Sequence, residues 1–146
     1  MSEDNRPEFD NELTDIVRSI IREYPGYDPK HDIHVFSNDH QKSISYRTWY
    51  SLPQGTTHFD LEIQGSILYL LWIEIARPDR SQGWGKRLYC LVEKIGKELG
   101  CTEIRQTPSG WMMGPDGQMG EEKRSYFLRY GWEPCNGNEI RKYLSE

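Results

Sequence analysis

The sequence predicts a single α/β domain whose mixed, mostly antiparallel central sheet is flanked by helices. Three observations carry this prediction: two segments with amphipathic helical spacing, several short alternating runs typical of half-buried strands, and one long apolar run typical of a central strand. These segments follow one another through 146 residues without a repeat or a low-complexity tract. We therefore expect one domain covering residues 1–146.

The two amphipathic helices are predicted near the N-terminus and in the middle of the chain. Apolar residues recur at helical spacing in both segments, and each segment meets a helix-stopping residue, Pro25–Gly26 for the first and Gly100 for the second. The apolar stripes are Leu13, Ile16, Val17, Ile20, Ile21 and Tyr24 in the first helix, and Leu88, Leu91, Val92, Ile95 and Leu99 in the second. Both stripes are expected to face the core.

The strands are predicted between and after these helices. Residues 32–37 and 59–64 alternate apolar and polar side chains, and Ser43–Leu52 is rich in β-branched and aromatic residues. A turn at Gln64–Ser66 leads into Ile67–Ala76, which is apolar on both faces apart from one glutamate, as in a central strand covered on two sides.

The remainder of the chain continues the alternation of strands and helices. A strand is expected at Cys101–Thr107, a short helix at Glu121–Tyr130 closed by Gly131, and a final strand or pair of strands within residues 132–144. The glycine-rich segment Gly110–Gly120 is expected to be a long loop.

Composition narrows the function classes. The net charge of −5 and the pI of about 5.4 argue against a nucleic-acid partner or a membrane surface, both of which favour basic proteins. The first residues lack the features of a signal peptide, and no apolar run approaches the length of a membrane span. Three cysteines without paired spacing predict reduced thiols, and neither they nor the four histidines have metal-ligand spacing. We therefore expect a cytoplasmic protein without a metal site.

The stretch RSQGWGKRL at residues 80–88 has the features of a phosphate-binding turn. Gly83 and Gly85 allow a tight turn and close approach to a ligand, and the amides of a helix N-terminus attract anions. Arg80 stands where a Walker A motif requires its first glycine, and Leu88 stands where a Rossmann motif requires its third. The pattern that remains is R-x-x-G-x-G between a strand and a helix.

In that context, Arg80–Gly85 resembles the acetyl-CoA loop of the GNAT-type N-acetyltransferases. The segment SYFLRYGW at residues 125–132 resembles the later F-Y-x-x-x-G-F helix of the family, and the junction at Leu99–Cys101 is also typical. The resemblance implies a GNAT-like fold and acetyl-CoA as the co-substrate. It also implies that the pantetheine arm pairs with the central strand. The implied cofactor-binding residues are Ile75, Ala76, Arg77, Arg80, Ser81, Gln82, Gly83, Trp84, Gly85 and Lys86.

The implied reaction is direct attack of a primary amine, on a small molecule or a protein side chain, on the thioester in a ternary complex. Glu74 is the predicted general base, because it is the ionisable residue within the apolar central strand and is expected to share a face with Leu70, Trp72 and Ala76. The alternative is a half-exposed strand residue paired with a cation such as Arg47.

The general acid and the acceptor site are less directly indicated. When the later helix is aligned with the family on Gly131, Phe127 stands where the family usually has the tyrosine that acts as general acid. The general acid is therefore Tyr126 in a shifted register, Tyr130, or water. Trp111, Met112 and Met113 lie in the glycine-rich loop and are predicted to line the acceptor site. The histidines are expected in loops or at the surface.

Two other functions remain open at this point. The same fold can act as an acyl-CoA-binding or protein-interaction module without turnover, which exposed aromatic residues near loops would favour. An unrelated α/β domain can use the glycine loop for another phosphate. A bare final strand would allow a homodimer.

Overall fold

The computed structural model describes residues 8–23, 32–48, 57–76, 84–107, 127–135 and 139–144, without the side chains of residues 84 and 85. The elements in chain order are β1 (Glu8–Phe9), α1 (Asn11–Arg22), β2 (Asp32–Ser37), β3 (Gln41–Arg47), β4 (His58–Gln64), β5 (Ile67–Glu74), α2 (Trp84–Glu98), β6 (Glu103–Gln106), β7 (Glu133–Pro134) and β8 (Ile140–Tyr143). Residues 127–129 are helical. This order confirms the predicted α/β class.

The strands that the structure describes form one mixed sheet in the order β1-β2-β3-β4-β5-β6-β8-β7. All neighbouring pairs are antiparallel except β5 and β6, which are parallel. A parallel pair needs a crossover, and α2 lies in the connection between these two strands. The mostly antiparallel sheet of the prediction is therefore confirmed.

One face of the sheet carries the core. Cross-strand partners share a face, and the row through the middle of the sheet runs from β2 to β8. Its members are Val35, Ile44, Leu61, Leu70, Gln106 and Ile140, all of them buried. Both long helices cover this face, because α1 packs on β2 and α2 and Tyr89 of α2 bonds Gln106.

Two glycines end helices where the sequence predicts. Gly100 has φ +84° and Gly131 has φ +93°, a backbone region that side chains other than hydrogen disfavour. Cys101 N–H donates to the carbonyl of Gly96 and Trp132 N–H donates to that of Phe127, so both helices close with the same wrapped turn. The helix stops are confirmed.

Three details of the predicted elements are wrong. Ile16 is exposed, and Thr14 takes a buried place in the α1 stripe. The strand predicted at Ser43–Leu52 is β3, which begins at Gln41 and ends at Arg47. Residues 49–52 lie outside the described ranges.

The final strand is not bare, because β8 lies between β6 and β7. The expectation of a homodimer depended on an unpaired final strand, so its basis is lost. Tyr24 is not among the described residues.

Asp10 fixes the start of α1 to the sheet. Its Oδ1 accepts a hydrogen bond from Leu13 N–H at 2.8 Å, as an N-cap residue does. Its Oδ2 accepts one from the Ser37 hydroxyl at 2.7 Å, and its own N–H donates to the carbonyl of Val35. The Ser37 hydroxyl and the Leu13 amide together hold the pKa of Asp10 below its ordinary value.

This geometry predicts a pH-dependent contribution to stability. A lowered pKa in the folded state means that the contribution is complete above about pH 4 and is lost as the pH falls through the folded-state pKa. Asp10→Asn keeps a capping side chain but removes the titration. We expect the variant to have a lower Tm than the native protein at pH 6 and the difference to shrink below pH 4. Thermal unfolding between pH 2.5 and 7 measures it; a difference that does not change with pH would contradict the prediction.

Candidate functional site

A break in the sheet lies between β5 and β6. The two strands pair only from Ile67–Glu103 to Leu70–Gln106, whereas β5 continues to Glu74 and stays paired with β4 on its other side. In the part of the chain that the structure describes, no strand pairs with the β6-facing edge of β5 at Leu71–Glu74. We call this free edge, together with the end of β6 at Gln106, the β5–β6 notch.

A β-bulge coincides with the point where the notch opens. Leu61 pairs with Leu70, but Asp60 pairs with Trp72, so Leu71 is the extra residue on β5. Bulges bend a strand and increase its twist, and they occur near active sites. The pairing with β6 ends at Leu70, one residue before the bulge.

The bulge also changes which residues of β5 face the core. Leu68 and Leu70 are buried before it and Ile73 after it, so the alternation shifts by one residue. Glu74 shares the face opposite the core with Trp72, as predicted, but Leu70 lies on the core face and that part of the prediction is wrong. Leu71 is 56% exposed and Trp72 is 43% exposed. The prediction that other elements cover both faces of this strand is therefore also wrong.

Glu74 lies opposite His58 on β4. His58 Nδ1 is 3.6 Å from Glu74 Oε2, and 48% of the Glu74 side chain is exposed. His58 is 8% exposed, so the expectation that the histidines are loop or surface residues is wrong for His58, although His34 and His40 are indeed exposed. His31 lies outside the described residues.

The bulge explains why the sequence did not indicate this pair. The two-residue turn at Gly65–Ser66 sets Gln64 opposite Ile67, and a regular hairpin counted back from there places His58 opposite Ile73. The extra residue at Leu71 shifts the partner of His58 to Glu74. Reading the pair from sequence therefore requires the position of the bulge.

The suggested partner Arg47 lies in the same row but farther away. Arg47 on β3 pairs with His58, and His58 pairs with Glu74. Adjacent strands are roughly 4.8 Å apart, so His58 stands between the arginine and the carboxylate. Glu74 is thus a half-exposed carboxylate, as the alternative interpretation says, and its neighbour is the His58 imidazole.

The end of β5 is held by buried threonines. Ala76 N–H donates to Thr57 Oγ1 at 2.8 Å, and Thr57 N–H donates to Thr48 Oγ1 at 3.0 Å. The amide of Ala76 therefore points to the β4 side and is already hydrogen-bonded within the protein. Ile75 is partly buried and packs against the core.

The phosphate loop is described only where it becomes helix. Helix α2 begins at Trp84 and includes Gly85 and Lys86 in its first turn, and the Lys86 side chain is exposed. This places a helix N-terminus a few residues after β5, as the sequence predicts. The predicted site residues outside the described ranges are Arg77, Arg80, Ser81, Gln82, Gly83, Trp111, Met112, Met113 and Tyr126.

Phe127 occupies an aromatic cluster beside α2. Its ring centroid lies 5.7 Å from that of Tyr89 and 5.9 Å from that of Trp132, in edge-to-face arrangements. Phe127 and Trp132 are buried, whereas Tyr130 is exposed. Packing in this cluster therefore explains why an apolar ring, Phe127, stands where the family usually has its general-acid tyrosine.

Comparison with known proteins identifies the fold. No family model matches the chain, and no curated protein matches it. An acetyltransferase from Bacillus cereus ATCC 14579 is similar in structure, with 13% identity, a TM-score of 0.50, and coverage of 91% of this chain and 89% of that one. Nourseothricin acetyltransferase has 12% identity and a TM-score of 0.49, over 96% of this chain and 98% of that one.

A further similar structure is the PaiA N-acetyltransferase from Thermoplasma acidophilum, solved in complex with coenzyme A. It has 17% identity and a TM-score of 0.47, and the match covers 71% of this chain but only 61% of that one. At such low identities the similarity establishes architecture alone. The chain has the fold of the GNAT-type N-acetyltransferases. Among the described residues, no helix has the length and apolar character needed to cross a membrane.

Deletion of Leu71 tests the role of the bulge. The deletion restores regular alternation, keeps Ile73 on the core face, and should let β5 run beside β6 beyond Gln106. We expect a folded protein in which hydrogen exchange, followed by NMR, shows a newly protected amide within Trp72–Glu74. Leu71→Ser retains the extra residue and is the matched control. Unchanged exchange in a folded deletion variant would show that the bulge does not open the notch.

Proposed function

We propose that the protein is an acetyltransferase that moves an acetyl group from acetyl-CoA to a primary amine. The observation that carries the proposal is the β5–β6 notch, an interrupted strand edge within an otherwise paired sheet. The pantetheine arm of the donor contains amide groups, and an extended amide chain can add to a free strand edge by main-chain hydrogen bonding. The fold supports this placement of the arm.

The position of α2 supports a pyrophosphate site next to the notch. The chain runs from the end of β5 through Arg77–Gly83 into the first turn of α2. Unpaired amides and the dipole at a helix N-terminus favour an anion, and Arg80 and Lys86 add positive charge in an acidic protein. We propose that the phosphates bind there while the arm reaches into the notch.

The His58–Glu74 pair supports the proton transfer that the reaction requires. A lysine-like amine has a pKa of ~10.4, so exposing its lone pair at pH 7 costs about 4–5 kcal/mol. The amine nitrogen attacks the thioester carbon, its proton passes to the Glu74 carboxylate directly or through water, and the C–S bond breaks. His58 orients the carboxylate. The leaving thiolate takes a proton from Tyr126 or from water.

Acidic side chains near Glu74 are also consistent with a cationic acceptor. Asp60 pairs with Trp72 and Glu62 pairs with Tyr69, so both acids lie on the same face as Glu74, opposite the core. Arg47 and Arg105 lie on this face as well, so we propose that the acids nearest the base, rather than the net charge of the face, attract the protonated amine. We also propose that the acceptor site is lined by Trp111, Met112 and Met113.

A second candidate is a GNAT-fold binding module without turnover. The exposed side chains of Leu71 and Trp72 favour it, because apolar groups at the edge of a site suit a protein or acyl ligand. Loss of turnover without loss of donor affinity on replacing Glu74 distinguishes the enzyme from the module.

Calorimetric titration with acetyl-CoA tests the donor. We expect one-to-one binding that Arg80→Ala combined with Gly83→Glu abolishes, because the variant removes a cation and fills the turn with an anionic side chain. At one hundred times Kd the ligand should stabilise the fold by ~2.7 kcal/mol. That raises Tm by roughly 5–11 °C for a domain of this size. Intact, folded native protein that binds no acetyl-CoA would overturn the proposed function.

Replacement of Glu74 tests the chemistry. We expect Glu74→Gln to lower kcat/KM by roughly 10²–10⁴-fold while the Kd for acetyl-CoA stays unchanged, and His58→Gln to lower it less. Glu98→Gln, at an exposed acid in the last turn of α2, is the matched control. Release of CoA thiol from acetyl-CoA with a panel of primary amines measures the rate. Full activity of Glu74→Gln would exclude it as the base.

A further inference from the structure

Gln106 is a polar side chain in an apolar row. The cross-strand row of the core runs through Leu61, Leu70, Gln106 and Ile140. Its other members are aliphatic, and Gln106 is only 3% exposed. An aliphatic residue would fill this place without burying an amide, so the choice of glutamine requires a reason.

Only one of the two polar groups of the Gln106 side-chain amide has a hydrogen-bond partner. Tyr89 Oη donates a hydrogen bond to Gln106 Oε1 at 3.1 Å. The buried Gln106 Nε2 has no hydrogen-bond acceptor in the described structure. A buried donor without an acceptor destabilises the protein that contains it, since the group has given up its water. The hydrogen bond from Tyr89 holds the amide by its oxygen and leaves the NH₂ group as the donor that lacks an acceptor.

Gln106 lies at the point of the sheet where β5 and β6 separate. Gln106 is the last residue of β6, and its pair with Leu70 is the last one before β5 and β6 separate. The next residue of β5 is the bulged Leu71. The unsatisfied amide therefore belongs to the residue at the apex of the β5–β6 notch.

We propose that Gln106 Nε2 donates a hydrogen bond to a carbonyl oxygen of the acyl-pantetheine arm when the donor lies in the notch. The inference rests on the proposed function. The arm offers amide carbonyls and the thioester carbonyl, and each accepts hydrogen bonds. Gln106 is a donor-binding residue, and Tyr89 is the positioning residue that holds its amide in place.

Measurements of affinity and stability together separate this role from a structural one. Gln106→Met keeps the length of the side chain and removes the amide. We expect its Kd for acetyl-CoA to rise about tenfold, which corresponds to ~1.4 kcal/mol, while its Tm without ligand stays equal to or above that of the native protein. A glutamine kept for stability alone would show the opposite pattern, a lower Tm and an unchanged Kd.

Further variants complete the experiment. Tyr89→Phe should weaken binding less than Gln106→Met, and adding it to Gln106→Met should weaken binding no further, because both act through one amide. Gln64→Met, at the exposed end of β4, is the matched control. If Gln106→Met does not fold, Gln106→Glu tests the same point, because its carboxylate still accepts from Tyr89 but meets the ligand carbonyl with an acceptor.

Titration with CoA, which lacks the acetyl group, identifies the carbonyl. An equal loss of affinity for CoA and acetyl-CoA assigns the bond to a pantetheine amide, and a loss confined to acetyl-CoA assigns it to the thioester. Native affinity in Gln106→Met and Gln106→Glu overturns the inference while the proposed function stands. Absence of acetyl-CoA binding by the native protein overturns both.

Discussion

The single extra residue in β5 determines the geometry of the site. The bulge at Leu71 lies where the pairing with β6 ends, moves Glu74 to the partner position of His58, and turns Trp72 to the exposed face. The new positions of Glu74 and Trp72 follow from one shift in strand register, because a shift by one residue exchanges the two faces of a strand. A free strand edge, a carboxylate and an imidazole thus gather at one end of the central strand.

The hydrophobic core packs against one face of the sheet, opposite the face that carries Glu74. Helices α1 and α2 cover the face that carries the buried row from Val35 to Ile140, and they leave the Glu74 face to polar and charged side chains. Gly96 allows α2 to approach the sheet closely, since a Cβ atom there would lie 3.0 Å from Leu144 Cδ1 and 3.4 Å from Leu68 Cδ1. The C-terminal half of α2 is therefore packed closely against the start of β5.

Most elements were predictable because they depend on local signals. Apolar spacing located α1 and α2, and alternation located β2 and β4. Gly100 marked the end of α2, and Gly131 marked the end of the helix at residues 127–129. The site was less predictable because it depends on register between strands. No local pattern marks the bulge at Leu71, and without it His58 falls opposite Ile73 and Glu74 falls on the same face as Leu70. Gln106 reads as one more polar residue in an alternating strand until the neighbouring strands are known.

The two outermost strands have a consequence for how the sheet meets other chains. In the described part of the chain, β1 and β7 are each two residues long, and β7 contains Pro134, which has no N–H to donate. Short edges and proline discourage intermolecular strand addition. Leu71–Glu74, in contrast, is extended backbone in the middle of the sheet whose β6-facing edge is unpaired in the described structure. Strand addition is therefore discouraged at β1 and β7, whereas an extended, amide-bearing chain can add at Leu71–Glu74.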